Sequence, residues 1–269
     1  LLSWKASKAF AFACSISMAE YTRIYCRGCI WQFLWLVIFT FLSAGISRWM
    51  FLKAGKLSAQ VGANWRTLIS PQDTVILAGD TSWAMKLEDT KTDFAFIQNL
   101  PGQKWLLKGN HDYWWTTARK MERYLTENGF DTMHILHNNA CMVGDYALCG
   151  TRGWPFDDTN AQDAKIMARE AGRLRMSLQA GGSAQKIAFL HYPPVYPGGC
   201  AQPLVDILHE FGVQQCYYGH LHGKSIRGAI QREVDGIRYK LVSADGLHFC
   251  PYKSVIKAFV CSFFQFFCL

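Results

Sequence analysis

Five short apolar runs recur along the chain, and each stops at a cluster of glycine and polar residues. Thr74-Val75-Ile76-Leu77 ends in Gly79-Asp80, and Trp105-Leu106-Leu107 in Gly109-Asn110-His111-Asp112. Ile187-Ala188-Phe189-Leu190 ends in His191-Tyr192-Pro193-Pro194. Cys216-Tyr217-Tyr218 ends in Gly219-His220-Leu221-His222-Gly223, and Tyr239-Lys240-Leu241-Val242 in Ser243-Ala244-Asp245. Runs of this length with such boundaries predict buried strands. Between some of them the apolar spacing becomes helical. Ala118, Met121 and Leu125 share one face, and Met167, Ala171, Leu174 and Leu178 share another. Strands alternating with helices predict an α/β sheet. Ligand sites in such sheets lie beyond the carboxyl ends of the strands.

The residues at those ends narrow the chemistry. A lone histidine or a Gly-Asp turn means little by itself. Here Asp80, Asn110, His191, His220 and His222 each follow an apolar run by one to four residues, and the joint placement is the signal. Imidazole, carboxylate and amide oxygen together suit a divalent Mn²⁺, Fe²⁺ or Zn²⁺. The set contains no thiolate, which argues against a structural zinc. A carboxylate such as Asp80 can bridge two ions about 3.5–4 Å apart. His220 and His222 stand two residues apart between Gly219 and Gly223, so on a tight loop they can serve different ions.

Gly79-Asp80, Gly109-Asn110-His111-Asp112, His191 and Gly219-His220-Leu221-His222 resemble, in order, the last four motifs of the calcineurin-like metallophosphoesterases. Tyr113-Trp114-Trp115 and Leu77 to Trp83 are similar to a bacterial cytoplasmic subgroup. The resemblance spans about residues 62–250. It implies a metallophosphoesterase-type α/β sandwich of mixed β-sheets flanked by helices, in a single domain over 61–255. It further implies two divalent ions (Mn, Fe or Zn) and hydrolysis of a phosphate mono- or diester by a metal-activated water. Asp80 would bridge the ions, Asn110, His191 and His220 would complete the second, and His222 would bind the first. His111 would contact the phosphate and protonate the leaving oxygen. Asp112 either orients His111 or caps the next helix. Arg152 either reaches substrate phosphate or is a solvated surface residue. Trp114, Trp115 and Trp154 either wall the pocket or pack in the core.

The family's first motif, D-x-H, is missing. Residues 1–72 contain no Asp at all. The first metal therefore lacks an Asp and a His, the opening strand is expected to be lost, and a bare sheet edge would favour aggregation. Residues 1–60 are also odd in composition. Seven bases against Glu20 give them +6 of the formal +8, so the remaining body carries no basic stripe for nucleic acid. Ile30 to Ile46 is a 17-residue stretch whose only polar members are Gln32, Thr40 and Ser43. It reads either as a signal or membrane segment or as an out-of-frame product. Read one base earlier, codons for Val37 to Leu42 can spell D-L-H-L-S, and Trp49-Met50-Phe51 forces Asp-Val. On the out-of-frame reading the first 53 or so residues are not native and the protein is cytoplasmic. On the other readings it is a one-metal phosphate-binding protein or is membrane-associated through 30–46. The ten scattered cysteines, including the lone Cys26-x-x-Cys29, read as reduced thiols. The apolar tail over 256–269 is too short to span a bilayer.

Overall fold

The computed structural model describes residues 30–39, 51–155 and 161–260. Cys26, Cys29, the second half of the 30–46 stretch and the tail beyond residue 260 lie outside them. Phe33–Ala258 form one compact unit.

The chain begins with strand β1 (Ile30–Phe39) and helix α1 (Phe51–Leu68), then β2 (Thr74–Leu77), α2 (Lys91–Gln98) and β3 (Gln103–Leu106). There follow α3 (Ala118–Glu127), β4 (Met133–Ile135), β5 (Ala140–Val143), β6 (Tyr146–Thr151) and α4 (Ala161–Ala180). Next come β7 (Gln185–Leu190), β8 (Val195–Tyr196), β9 (Gly199–Cys200), α5 (Gln202–Glu210) and β10 (Gln215–Tyr218). The described chain closes with β11 (Glu233–Val234), β12 (Ile237–Leu241) and β13 (Tyr252–Val260). Two sheets result, ordered β13-β1-β2-β3-β4 and β11-β12-β10-β7-β6-β5, with β8 and β9 as a small separate ladder. β1 to β4 run parallel, as do β12, β10, β7 and β6. β11 and β5 join antiparallel at the edges.

Side-chain alternation assigns the layers. Val75 and Leu77 of β2 pack with Trp65, Phe94, Trp114, Met121 and Leu125, on the face covered by α1, α2 and α3. Ile76 and Ala78 point the other way, into a core shared with Leu148, Ile187, Phe189 and Tyr217 of the second sheet. The far face of that sheet carries Ala188, Leu190, Cys216 and Tyr218 against Leu174 and Leu178 of α4 and Leu204 and Leu208 of α5. The order is therefore helices, sheet, sheet, helices. This is the mixed α/β sandwich expected from the sequence. Because both faces of each sheet are buried, the central strands read as unbroken apolar runs.

β1 departs from expectation. The stretch read as a signal or membrane segment begins as a ten-residue strand, not a helix. No described helix is long and apolar enough to cross a membrane. β1 also fills the ladder expected to be missing, pairing Leu36 with Thr74 and Phe39 with Leu77. Sheet pairing uses backbone groups and tolerates any β-prone residue. The ladder therefore forms without the D-x-H residues.

Candidate active site

β2, β3, β7 and β10 all deliver their carboxyl ends to one region, and the turns there are tight. Asp80 and His220 have positive φ, 55° and 70°. That conformation is costly for a residue with a Cβ and recurs at functional sites. Gly79, at φ 95°, begins the turn after β2. A Cβ on Gly109 would collide with the Asp80 carboxylate and backbone nitrogen, so the β2 and β3 ends approach only because this residue is glycine.

Asp112 locks those two ends together. It is 1 % exposed. Its Oδ2 accepts from the backbone N–H of Gly109 at 2.7 Å and of Asp80 at 2.9 Å. Its Oδ1 accepts from Thr81 N at 2.8 Å, Ser82 N at 3.1 Å and Trp114 Nε1 at 3.1 Å. Burial, with the Asp80 charge beside it, pushes the carboxyl up to about 7 against the pull of those donors. Neither sequence expectation describes this residue. Asp112 makes no bond to His111 and does not cap α3, whose N-cap is Thr117. Five donors saturate its oxygens, and it acts as a clamp between the two loops.

Asp80, Asn110, His191 and His220 converge. His191 is fully buried. Its Nδ1 lies 3.0 Å from the carbonyl of Ala78, which can only accept, so Nδ1 carries the hydrogen. Nε2 therefore presents a lone pair, 2.7 Å from Asn110 Oδ1 and 3.5 Å from Asp80 Oδ2. His220 Nδ1 lies 2.9 Å from the same Asn110 oxygen. Burial drives His191 down to about 3 and His220 to about 4, so both are neutral at pH 7. Burial likewise raises the Asp80 carboxyl, against the bond its Oδ1 accepts from His111 N at 2.9 Å. The His191 Nε2 lone pair, the Asn110 amide oxygen and the buried Asp80 carboxyl group thus face one another. A divalent cation satisfies that arrangement. Among the described residues no group of three or more His, Cys, Asp or Glu is placed to hold a metal ion; the four converging residues include the amide of Asn110.

The second ion expected from the sequence does not fit equally well. His222 Nδ1 is bonded to Asp245 Oδ1 at 2.8 Å, and Gly223 N donates to Asp245 Oδ2 at 2.7 Å. Asp245, at the end of the fifth apolar run, is a site residue that sequence reasoning did not select. Its position after a strand was the available signal. Among the described residues, β1 ends in Val37, Ile38 and Phe39, none of which carries a ligating side-chain group.

His111 stacks on Trp83 with ring centroids 3.9 Å apart and planes at 18°. Its Nδ1 lies 3.1 Å from Tyr113 Oη, so the ring is held from its face and its edge. Trp114 is buried in the core, with its indole donating to Ser82 O and Asp112. Trp115 packs partly buried against the same cluster. Arg152 is not a solvated surface residue. Its Nη2 pairs with Glu170 Oε1 at 3.3 Å, and its guanidinium lies 4.7 Å over Trp154.

A calcineurin-like phosphoesterase family model matches residues 57–224. That is more than half of the chain, which therefore belongs to this family. Among solved structures, the TT1561 protein of Thermus thermophilus superposes with a TM-score of 0.51 at 12% identity, covering 83% of this chain and 99% of that one. A protein of unknown function from Aquifex aeolicus, AQ665, gives a TM-score of 0.47 at 15% identity over 82% and 95%. At these identities the first likeness bears on the fold alone. No curated protein sequence matches the chain.

Proposed function

We propose that the chain is a cytoplasmic, metal-dependent hydrolase of phosphate mono- or diesters. The observation that carries this reading is the convergence of Asp80, Asn110, His191 and His220, with His191 Nε2 and His220 Nδ1 2.7 and 2.9 Å from Asn110 Oδ1. These residues would hold a divalent ion, with Mn²⁺ or Fe²⁺ preferred to Zn²⁺. Such an ion, when bound, lowers the pKa of water and neutralises charge on phosphoryl oxygens. His111 donates a proton to the leaving oxygen, and its stack on Trp83 and bond to Tyr113 fix the ring for that task. Asp112 keeps the β2 and β3 turns in place, so Asp80 and His111 hold their mutual geometry.

A second reading, a one-metal phosphate-binding protein, is favoured by the ligand-free end of β1 and by the engagement of His222 with Asp245. The out-of-frame origin of the N-terminal segment reconciles the two. The hidden D-L-H aligns with residues 38–40, at the carboxyl end of β1 beside β2, where Ile38 pairs with Ile76 and Phe39 with Leu77.

The test is Mn²⁺-dependent hydrolysis of bis(p-nitrophenyl) phosphate by the full chain carrying Ile38→Asp and Thr40→His. Turnover is expected, with His111→Ala reducing it by about 10²–10⁴-fold. Absence of turnover, or turnover indifferent to His111→Ala, overturns the hydrolase reading. Metal analysis of the unaltered chain, expected to show one ion, bears on the second reading.

A further inference from the structure

Resting on the phosphoesterase reading, we infer that the exposed ring of Tyr113 is a stacking platform for the base of a nucleoside phosphate ester, with the nucleoside on the leaving side of the bond that is cut.

Tyr113 is oriented against the usual rule. A surface tyrosine ordinarily packs its ring against the protein and turns its hydroxyl to water. Tyr113 is 51% exposed, the one aromatic among the strongly exposed large apolar side chains of the described residues. Yet its Oη lies 3.1 Å from His111 Nδ1. The polar tip is engaged in the site, and the ring is what meets solvent.

The local chain enforces this. Asp112 and Trp114, on either side, are 1% and 2% exposed. Asp112 is held by its backbone donors and by the Trp114 indole. Tyr113 N donates to His111 O at 2.9 Å, and Trp115 N to Asp112 O at 3.2 Å. With both neighbours fixed inward, the residue between them is turned out. Its hydroxyl bond then restrains the ring. An aromatic face that is already ordered binds with less loss of side-chain entropy.

His111 indicates which part of the substrate this face meets. A proton donor lies within hydrogen-bond reach of the leaving oxygen, so the departing alcohol passes beside His111. Trp83 closes one face of His111, with ring centroids 3.9 Å apart. Tyr113 stands at the edge, with centroids 5.9 Å apart and planes at 79°. Its ring is therefore beside the acid and not stacked on it. A group lying on Tyr113 is set back from the leaving oxygen by a spacer. A base joined to its ester oxygen through ribose has that form. A phenyl ester does not, because its ring is bonded to the leaving oxygen itself. Stacking uses the π-face that every base has, so no single base is selected. One exposed ring suits one base, whereas a polynucleotide channel carries successive rings along a basic groove.

The experiment titrates the full chain by calorimetry, with Mn²⁺ present, using AMP, UMP, phenyl phosphate and ribose 5-phosphate. AMP and UMP are each expected to bind at least tenfold more tightly than ribose 5-phosphate, the effect of one base on one ring. Phenyl phosphate should bind no more tightly than ribose 5-phosphate. Tyr113→Ala should erase the difference between AMP and ribose 5-phosphate. Tyr113→Phe should keep most of it, because the ring and not the hydroxyl makes the stack. Equal binding of AMP and ribose 5-phosphate overturns the platform, as does a difference that survives Tyr113→Ala or is lost as fully in Tyr113→Phe. Phenyl phosphate matching AMP overturns the nucleoside assignment. Failure of the phosphoesterase reading shows up separately, as ribose 5-phosphate binding on which Mn²⁺ has no effect.

Discussion

β1 and β2 lie side by side and parallel through four paired residues, Leu36–Phe39 against Thr74–Leu77, yet their carboxyl ends differ in chemistry. β2 runs into Gly79-Asp80, a positive-φ turn that presents a buried carboxylate. β1 ends on Val37, Ile38 and Phe39, with no donor atom beyond the backbone. The difference separates two requirements that usually travel together. A strand is specified by β-propensity and backbone pairing, which many sequences satisfy. A metal ligand is specified by one side chain at one position, which almost none do. The fold can thus keep a ladder whose chemistry is absent.

The comparison is broken most directly by giving β1 the chemistry of β2. Ile38→Asp with Thr40→His should raise the bound metal from one ion to two and phosphodiester turnover by about 10⁴-fold, read by metal analysis and steady-state kinetics. Unchanged stoichiometry would show that β1 does not occupy the family's first-motif position. On the β2 side, Asp112→Ala should destabilise the fold by about 3–5 kcal/mol in urea unfolding, since five buried donors lose their acceptor. A loss below about 1 kcal/mol would remove the clamp from the account.

His191→Ala should weaken Mn²⁺ binding by about 100-fold or more in calorimetry, whereas a ligand role confined to Asp80 and His220 predicts almost no change. The smallest effect concerns Lys104, fully buried in β3 with Nζ donating to Leu100 O at 2.7 Å. Burial lowers its pKa to about 8. The unfolded chain therefore binds more protons between pH 8 and about 10.5, so stability rises with pH across that window, and the full penalty is present below pH 8. Lys104→Met should be more stable by about 1 kcal/mol at pH 7 after its lost hydrogen bond is counted, and should flatten that rise. A variant less stable at pH 7, with the slope retained, would place the titration elsewhere.

Three of the six strands of the second sheet and two of the five of the first were legible as apolar runs. β2, β7 and β10 cover the predicted segments, and β3 and β12 overlap theirs, each ending one residue earlier. The hairpin of β5 and β6 was not picked out, although Gly144-Asp145 marks its turn between two apolar stretches. β1 was not picked out as a strand because a long apolar run suits a membrane segment and a buried strand alike. Of the candidate site, Asp80, Asn110, His191 and His220 were legible as a group, since each directly follows a strand, and the fold brings the four together. Asp112 and Asp245 resisted because their roles depend on partners distant in sequence. Asp112 binds residues 30–32 positions away, and Asp245 binds His222 across 23 positions.

The sequence by itself determined the strand positions, the donor types at their ends and the absence of Asp and His from the first 72 residues, because these are properties of local pattern and residue identity. Only the tertiary structure decided which ends meet, that Glu170 draws Arg152 and Arg173 into one half-buried cluster, and that β1 pairs with β2. Those facts depend on the packing of side chains far apart in the chain, and a burial that sets their charge states has no signature in the one-dimensional pattern.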